Sequence, residues 1–155
     1  MNRADDALLL LARLLMAALF LPSGIAKAMN FAPFAESLAD KGLPYAEVWA
    51  YAAVAAEILG PIALILGVFP TYTALLLLVF VAVATGISHR FWEFADAAAR
   101  RGQEISFYKN VGIVAGLLFY CVGGAGSWSI AGLMSRKPSE PAKADAPQES
   151  AKAAA

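Results

Sequence analysis

Between Val48 and Val68 the chain reads VWAYAAVAAEILGPIALILGV, a bilayer-length apolar run with one charge, Glu57, near its middle. No water reaches hydrocarbon, so the backbone polar groups of such a segment must be satisfied by a helix or a closed barrel. An unbroken run of about 20 apolar residues, enough for ~30 Å of hydrocarbon, selects the helix. A carboxylate at that depth costs at least ~2–3 kcal/mol, so it needs a buried cation or a proton. Glu57 is therefore the first candidate functional residue, a proton relay if the protein is catalytic. A structural ion pair that only fixes packing is the rival reading.

Three more stretches have membrane length. Spans are expected at about 7–28, 46–68, 71–88 and 108–124, the first carrying Arg13 and Lys27 and the third carrying no charge. With 60% hydrophobic residues among 155, the chain is too apolar for an ordinary soluble domain. The expected class is all-α, an integral-membrane antiparallel four-helix bundle over residues 1–135. The first span lacks the positive leader of a signal peptide, since Arg3 is offset by Asp5 and Asp6, and it reads as a retained span. Only Phe69 and Pro70 separate spans two and three, which forces a tight hairpin.

The two longer loops share one side of the membrane, the loop face. In the first, Phe31, Phe34 and Leu38 fall at i, i+3 and i+7, as a short interfacial helix requires. The second, HRFWEFADAAARRGQEISF from His89, is expected to hold another short helix before Gly102. Residues 136–155 contain no Leu, Ile, Val, Met, Phe, Tyr or Trp, and are expected to be a disordered tail. Lysines and arginines divide evenly between the two sides, so the positive-inside rule does not orient the bundle.

Helical spacing places Arg13, Ala17, Phe20, Gly24 and Lys27 on one stripe, and Glu57, Gly60, Leu64 and Gly67 on another. On span four, Lys109, Gly112, Gly116, Tyr120 and Gly123 align and include a G-x-x-x-G, so this face too is expected to point inward. A guanidinium stays charged and matches a carboxylate bidentately, which favours Arg13 as the dry partner of Glu57. Lys27 or Lys109 is the alternative, and a protonated, unpaired Glu57 the third. The candidate binding residues are Arg13, Lys27, Glu57, His89, Lys109 and Asn110. Trp92 and Tyr108 lie near them, though Trp, Tyr and Lys at helix ends are also ordinary interfacial anchors.

One histidine and one cysteine, Cys121, cannot build a metal centre, a disulfide within the chain or a two-histidine haem site. Zero net charge argues against a nucleic-acid surface. There is no P-loop, no G-x-G-x-x-G and no G-x-S-x-G. No cofactor is evident, and in redox chemistry the electron carrier would come from a partner or be a membrane quinone.

Several short motifs stand in a recognisable order: R-L-L from Arg13 with S-G-I-A-K ending at Lys27, A-E-I-L-G-P-I-A-L-I-L-G around Glu57, H-R-F-W from His89, F-Y-K-N from Phe107, and G-G-A-G-S-W-S-I from Gly123. In these the chain resembles the DoxX family of small four-span bacterial membrane proteins, over Leu11 to Ile130. The resemblance implies a multi-pass bacterial inner-membrane protein. That family is named from the small subunit of an archaeal thiosulfate:quinone oxidoreductase, and other members are associated with oxidative-stress and sulfur chemistry. The H-R-F-W and F-Y-K-N version is similar to an inner-membrane branch, not to the thiosulfate enzyme.

Two readings follow. In one, the chain is a membrane subunit of a redox system, quinone-linked or oxidative-stress-related, with a soluble or membrane redox partner. Lys109, Asn110 and His89 then hydrogen-bond a quinone carbonyl and Glu57 relays a proton. In the other, it is a non-catalytic scaffold or a small proton-coupled carrier. A carrier also requires an aqueous path to Glu57 and a dimer, so homo-oligomerisation stays open, as does the question of whether the protein is an enzyme.

Overall fold

Helices occupy all four apolar runs. A computed structural model describes residues 2–135, with no strand among them. The helices are α1 (Arg3–Met29), α2 (Phe31–Asp40), α3 (Ala46–Leu66), α4 (Pro70–Ser88), α5 (Ala97–Gly123) and α6 (Ile130–Met134), with a 3₁₀ turn at Phe91–Glu93. α1, α3, α4 and α5 are long and apolar enough to cross a membrane, α4 together with the turn after it. They form an antiparallel all-α bundle, with α2 as the short helix of the first long loop. The expected tail from residue 136 lies outside the described residues.

Local chemistry sets the ends of these helices. α1 starts at Arg3 because Asn2 and Asp5 form a capping box: the Asn2 side chain accepts from the Asp5 N–H at 2.8 Å, and the Asp5 carboxylate accepts from the Asn2 N–H at 3.0 Å. Gly67 ends α3 in the left-handed region at φ 64°, and Pro70 supplies the preset first residue of α4. The hairpin between them is as tight as its length requires.

The second long loop corrects one expectation. There is no separate helix before Gly102; the short element is the 3₁₀ turn, and α5 runs unbroken from Ala97. Asp96 caps it by accepting from the Ala99 N–H at 2.7 Å. A glycine inside a helix costs only about 1 kcal/mol relative to alanine, too little to break a segment flanked by good helix formers.

α1 packs on α3, α3 on α4, and α4 on α5, while α1 and α5 barely touch. One core joins all four: Phe20 from α1, Leu64 from α3, Leu77 and Val81 from α4, Ile113 and Leu117 from α5. The close approaches use glycine where the sequence places it. A Cβ on Gly24 would sit 2.9 Å from Glu57 Cβ, and one on Gly60 would press into the Leu77 side chain.

The fourth stripe is corrected. α5 buries Ile113 and Leu117, whereas Lys109, Gly112 and Gly123 are exposed. A Cβ on Gly112 meets nothing within 4 Å, so only the Gly116 half of this G-x-x-x-G lies against another helix, beside Met16 of α1. The rotation has a packing reason: α5 meets the core where volume must be filled, and isoleucine and leucine fill it where glycine would leave a void.

Candidate functional site

The seam between α1 and α5 holds two polar clusters, one at each end of the bundle. Register explains their membership. Gly24 is level with Glu57, so Lys27 lies three residues, about 4.5 Å, further along α1, while Arg13 lies eleven residues, about 16 Å, the other way.

Glu57 therefore pairs with Lys27: Nζ donates to Oε1 in a short contact. This overturns the expected Arg13–Glu57 pair in favour of its alternative. The Glu57 side chain is 7% exposed and that of Lys27 28%, so the lysine stem reaches inward from the loop face. Its ammonium also lies 5.1 Å from the centre of the Phe34 ring, held there by α2. Glu57 Oε2 is buried and has no hydrogen-bond partner.

Around this pair lies a cavity of about 180 Å³ lined by Ser23, Lys27, Glu57, Ser88, His89, Lys109 and Asn110, with Leu19, Phe20, Ala84 and Ile113 as its apolar wall. Five of the six candidate residues thus meet in one place. α4 positions His89 at its C-terminal end, where the backbone N–H still bonds Thr85 O at 2.9 Å. The His89 ring contacts Gln103 Oε1 through Nδ1 at 2.8 Å. An amide oxygen only accepts, so Nδ1 is the donor in this contact. Asn110 donates to the buried Thr85 hydroxyl at 2.9 Å, and that hydroxyl donates to Val81 O at 2.6 Å. Lys109 has no hydrogen bond or ion pair among the described residues.

A second cavity, about 350 Å³, shares Ser23, Lys27, Ala84, Ser88 and His89 with the first. Its remaining wall is mostly apolar, including Phe34, Leu38, Trp49, Phe80, Val83 and Ile87. The two spaces together make a polar end and an apolar arm.

Arg13 stands outside this site, 1% exposed at the opposite end of the seam. Its Nη1 donates to Ile65 O at 3.0 Å and its Nη2 to Trp128 O at 2.5 Å. The last carbonyls of a helix lack partners within it, and the end of α3 carries the negative pole of its dipole. Both terminal nitrogens of the guanidinium find acceptors there without a carboxylate, which is why Arg13 does not pair with Glu57. Asp6, one heptad before Arg13 on the same face, accepts from the Ser127 N–H at 2.7 Å and also from the Ser127 hydroxyl. Ser129 caps α6, and Ala131 N–H reaches Gly67 O at 3.2 Å. The G-G-A-G-S-W-S-I segment is thereby latched to α1 and to the end of α3.

Sequence reasoning missed Asp6, Thr85, Gln103, Ser23 and Ser88. Asp6 was detectable, since it extends the Arg13–Lys27 stripe by seven residues. Gln103 carries no signal in the sequence, because it falls just beyond Gly102, where a short helix is expected to end. No group of three His, Cys, Asp or Glu side chains that could hold a metal occurs among the described residues.

Comparison with known proteins gives the family. Residues 8–90, which span α1 to α4, match the DoxX family. Over 127 residues the chain is 30% identical to the inner membrane protein YphA of Escherichia coli (strain K12), covering 82% of this chain and 90% of that protein. No solved structure matches. Four membrane-length helices and an inner-membrane relative make this a multi-pass inner-membrane protein. A match over more than half its length, through the helices that carry Lys27 and Glu57, shows that the chain belongs to the DoxX family.

Proposed function

We propose that this chain is the membrane subunit of a quinone-linked redox system, and that the loop-face cavity receives the quinone head group. The observation that carries the reading is Glu57 Oε2, a buried carboxylate oxygen without a partner, in a cavity that also holds Lys27 and the unpartnered Lys109. Buried polar atoms without partners are rare, and at a cavity wall they mark where a ligand or proton belongs.

The donor set suits a quinone. Lys109 and the second amide hydrogen of Asn110 can donate to a carbonyl, His89 Nε2 and Glu57 Oε2 can accept a proton, and the apolar arm past Phe80 and Trp49 suits an isoprenoid or alkyl tail. A bound quinone supplies a two-electron, two-proton acceptor. The residues do the rest: Lys27 holds the Glu57 carboxylate in place, Gln103 fixes the His89 tautomer, and Thr85 orients Asn110. The redox partner delivers the electrons.

The test is quenching of Trp49 fluorescence by decylubiquinone in the purified protein, with Trp49→Phe as the background. The expected result is saturable quenching that Lys109→Met weakens by about ten-fold, as losing a charge-assisted hydrogen bond implies. Quenching that never saturates, or that Lys109→Met leaves unchanged, would rule the pocket out.

A further inference from the structure

We propose a second ligand site at the other end of the seam, in which Arg13 and Tyr120 bind the carboxylate of a single-chain lipid such as a long-chain fatty acid. The cavity there measures about 380 Å³ and is walled by α1, α3 and α5. It is separate from the loop-face cavity, and none of the quinone-site residues lines it.

Two of the residues that line this cavity each carry a buried, unpartnered polar atom: Arg13 its Nε and Tyr120 its hydroxyl. Arg13 is 1% exposed, and both of its hydrogen bonds go to neutral carbonyls, which leaves the Nε–H unanswered. Arg13 and Tyr120 both line the cavity, and a guanidinium N–H and a phenol O–H can both donate to one acceptor. Leaving both dry costs free energy that a bound oxygen anion recovers.

The remaining wall describes the body of the ligand. Arg13 is level with Gly67, where α3 ends, so the polar atoms lie near the membrane boundary on the side away from the loop face. Met16, Leu64 and Leu117, all lining the cavity, lie about one helical turn deeper. A polar head at the boundary with apolar wall beneath it matches an acid whose chain runs towards the bilayer centre. α1 and α5 barely touch, so the chain can leave the cavity sideways into lipid. The two donors and the positive charge favour a carboxylate over a neutral ester or carbonyl.

The experiment is thermal unfolding of the purified full chain in dodecyl maltoside, titrated with oleate or with methyl oleate. Oleate should stabilise the protein saturably and methyl oleate should not. Tyr120→Phe, which removes only the hydroxyl, should raise the half-saturating oleate concentration by about ten-fold. Gly116→Leu, which fills the cavity beside Met16, should abolish the saturable effect. The proposal is overturned if oleate gives no saturable stabilisation, if methyl oleate matches it, or if Gly116→Leu still responds like the wild type. Native mass spectrometry of whichever variants fold counts bound oleate directly, and undiminished occupancy in both variants would equally refute the site.

Discussion

The Lys27–Glu57 pair makes an asymmetric prediction. Removing one partner of a fully buried pair costs about 3–5 kcal/mol, because the other charge is left without compensation. Here the partners differ: the lysine side chain is 28% exposed and ends at the loop face, while the glutamate side chain is 7% exposed and fixed between α1 and α3. Glu57→Gln frees a lysine that can swing its ammonium towards water, so about half of that cost is avoided and a loss of about 2 kcal/mol is expected. Lys27→Met strands Glu57, which has no such escape, and the loss should reach the full ~3–5 kcal/mol. In the double variant neither charge remains, so its loss should fall well below the sum, with a coupling of about 2 kcal/mol. The assay is equilibrium unfolding of the four proteins in mixed micelles, followed by tryptophan fluorescence. Additive losses, or a Glu57→Gln loss as large as that of Lys27→Met, would refute the reasoning.

Three further outcomes are expected. Gly24→Ala should destabilise by about 1–3 kcal/mol, since its Cβ meets Glu57 Cβ at 2.9 Å and the Glu57 backbone at 3.0 Å; Gly112→Ala meets nothing, and should be neutral or stabilising by up to about 1 kcal/mol in the same unfolding assay. Asp6→Ala should cost about 2 kcal/mol and expose the segment after Gly124 to proteolysis, because two hydrogen bonds to Ser127 are lost at a buried carboxylate. Single cysteines replacing Asp40 and Arg101, in a Cys121→Ser background, should label from one side of the membrane and one at Ser135 from the other; labelling of all three from one side would contradict the topology.

The sequence was most informative where helical spacing and depth constrain one another. Arg13, Ala17, Phe20 and Gly24 on one helix, and Glu57, Gly60 and Leu64 on another, are buried as the spacing requires. Spacing says which face a residue occupies, but not the register between two helices. Arg13 and Lys27 share a face, so choosing between them as the partner of Glu57 depended on where α1 and α3 stand against each other. That is set by the approach of Gly24 to the Glu57 backbone, and by the end of α3 at Gly67, against which a Cβ would lie 2.7 Å from Arg13 Nη1. General pairing chemistry is also an incomplete guide: a guanidinium prefers a carboxylate, yet here its two terminal nitrogens bond the carbonyls of Ile65 and Trp128. On α5, small residues at regular intervals were read as a contact face. Weak helix contact on that side leaves Gly112 facing outward, and only the requirement to fill core volume identifies Ile113 and Leu117 as the inner face.

Both clusters follow from one feature of the bundle. α3 contacts α1 and α4 across glycines, so those two interfaces are closed by close backbone approach. The α1–α5 interface has no such glycine-mediated close approach; Phe20 of α1 shares the core with Ile113 and Leu117 of α5, and Met16 lies beside Gly116. Towards the two ends of the bundle lie the two cavities. Beside each of them a long charged side chain of α1 turns to α3 or to the segment after α5: Lys27 to Glu57 at one end, Arg13 to Ile65 and Trp128 at the other. Each cation has donors beyond those its protein partners use, and each lines a cavity whose polar wall includes an atom without a partner. A bundle designed only for stability would close this seam with leucine and glycine. Cavities beside buried charges fit the two proposed sites, each for a molecule with a polar head and an apolar body. Filling the cavity at either end should therefore abolish only the binding at that end.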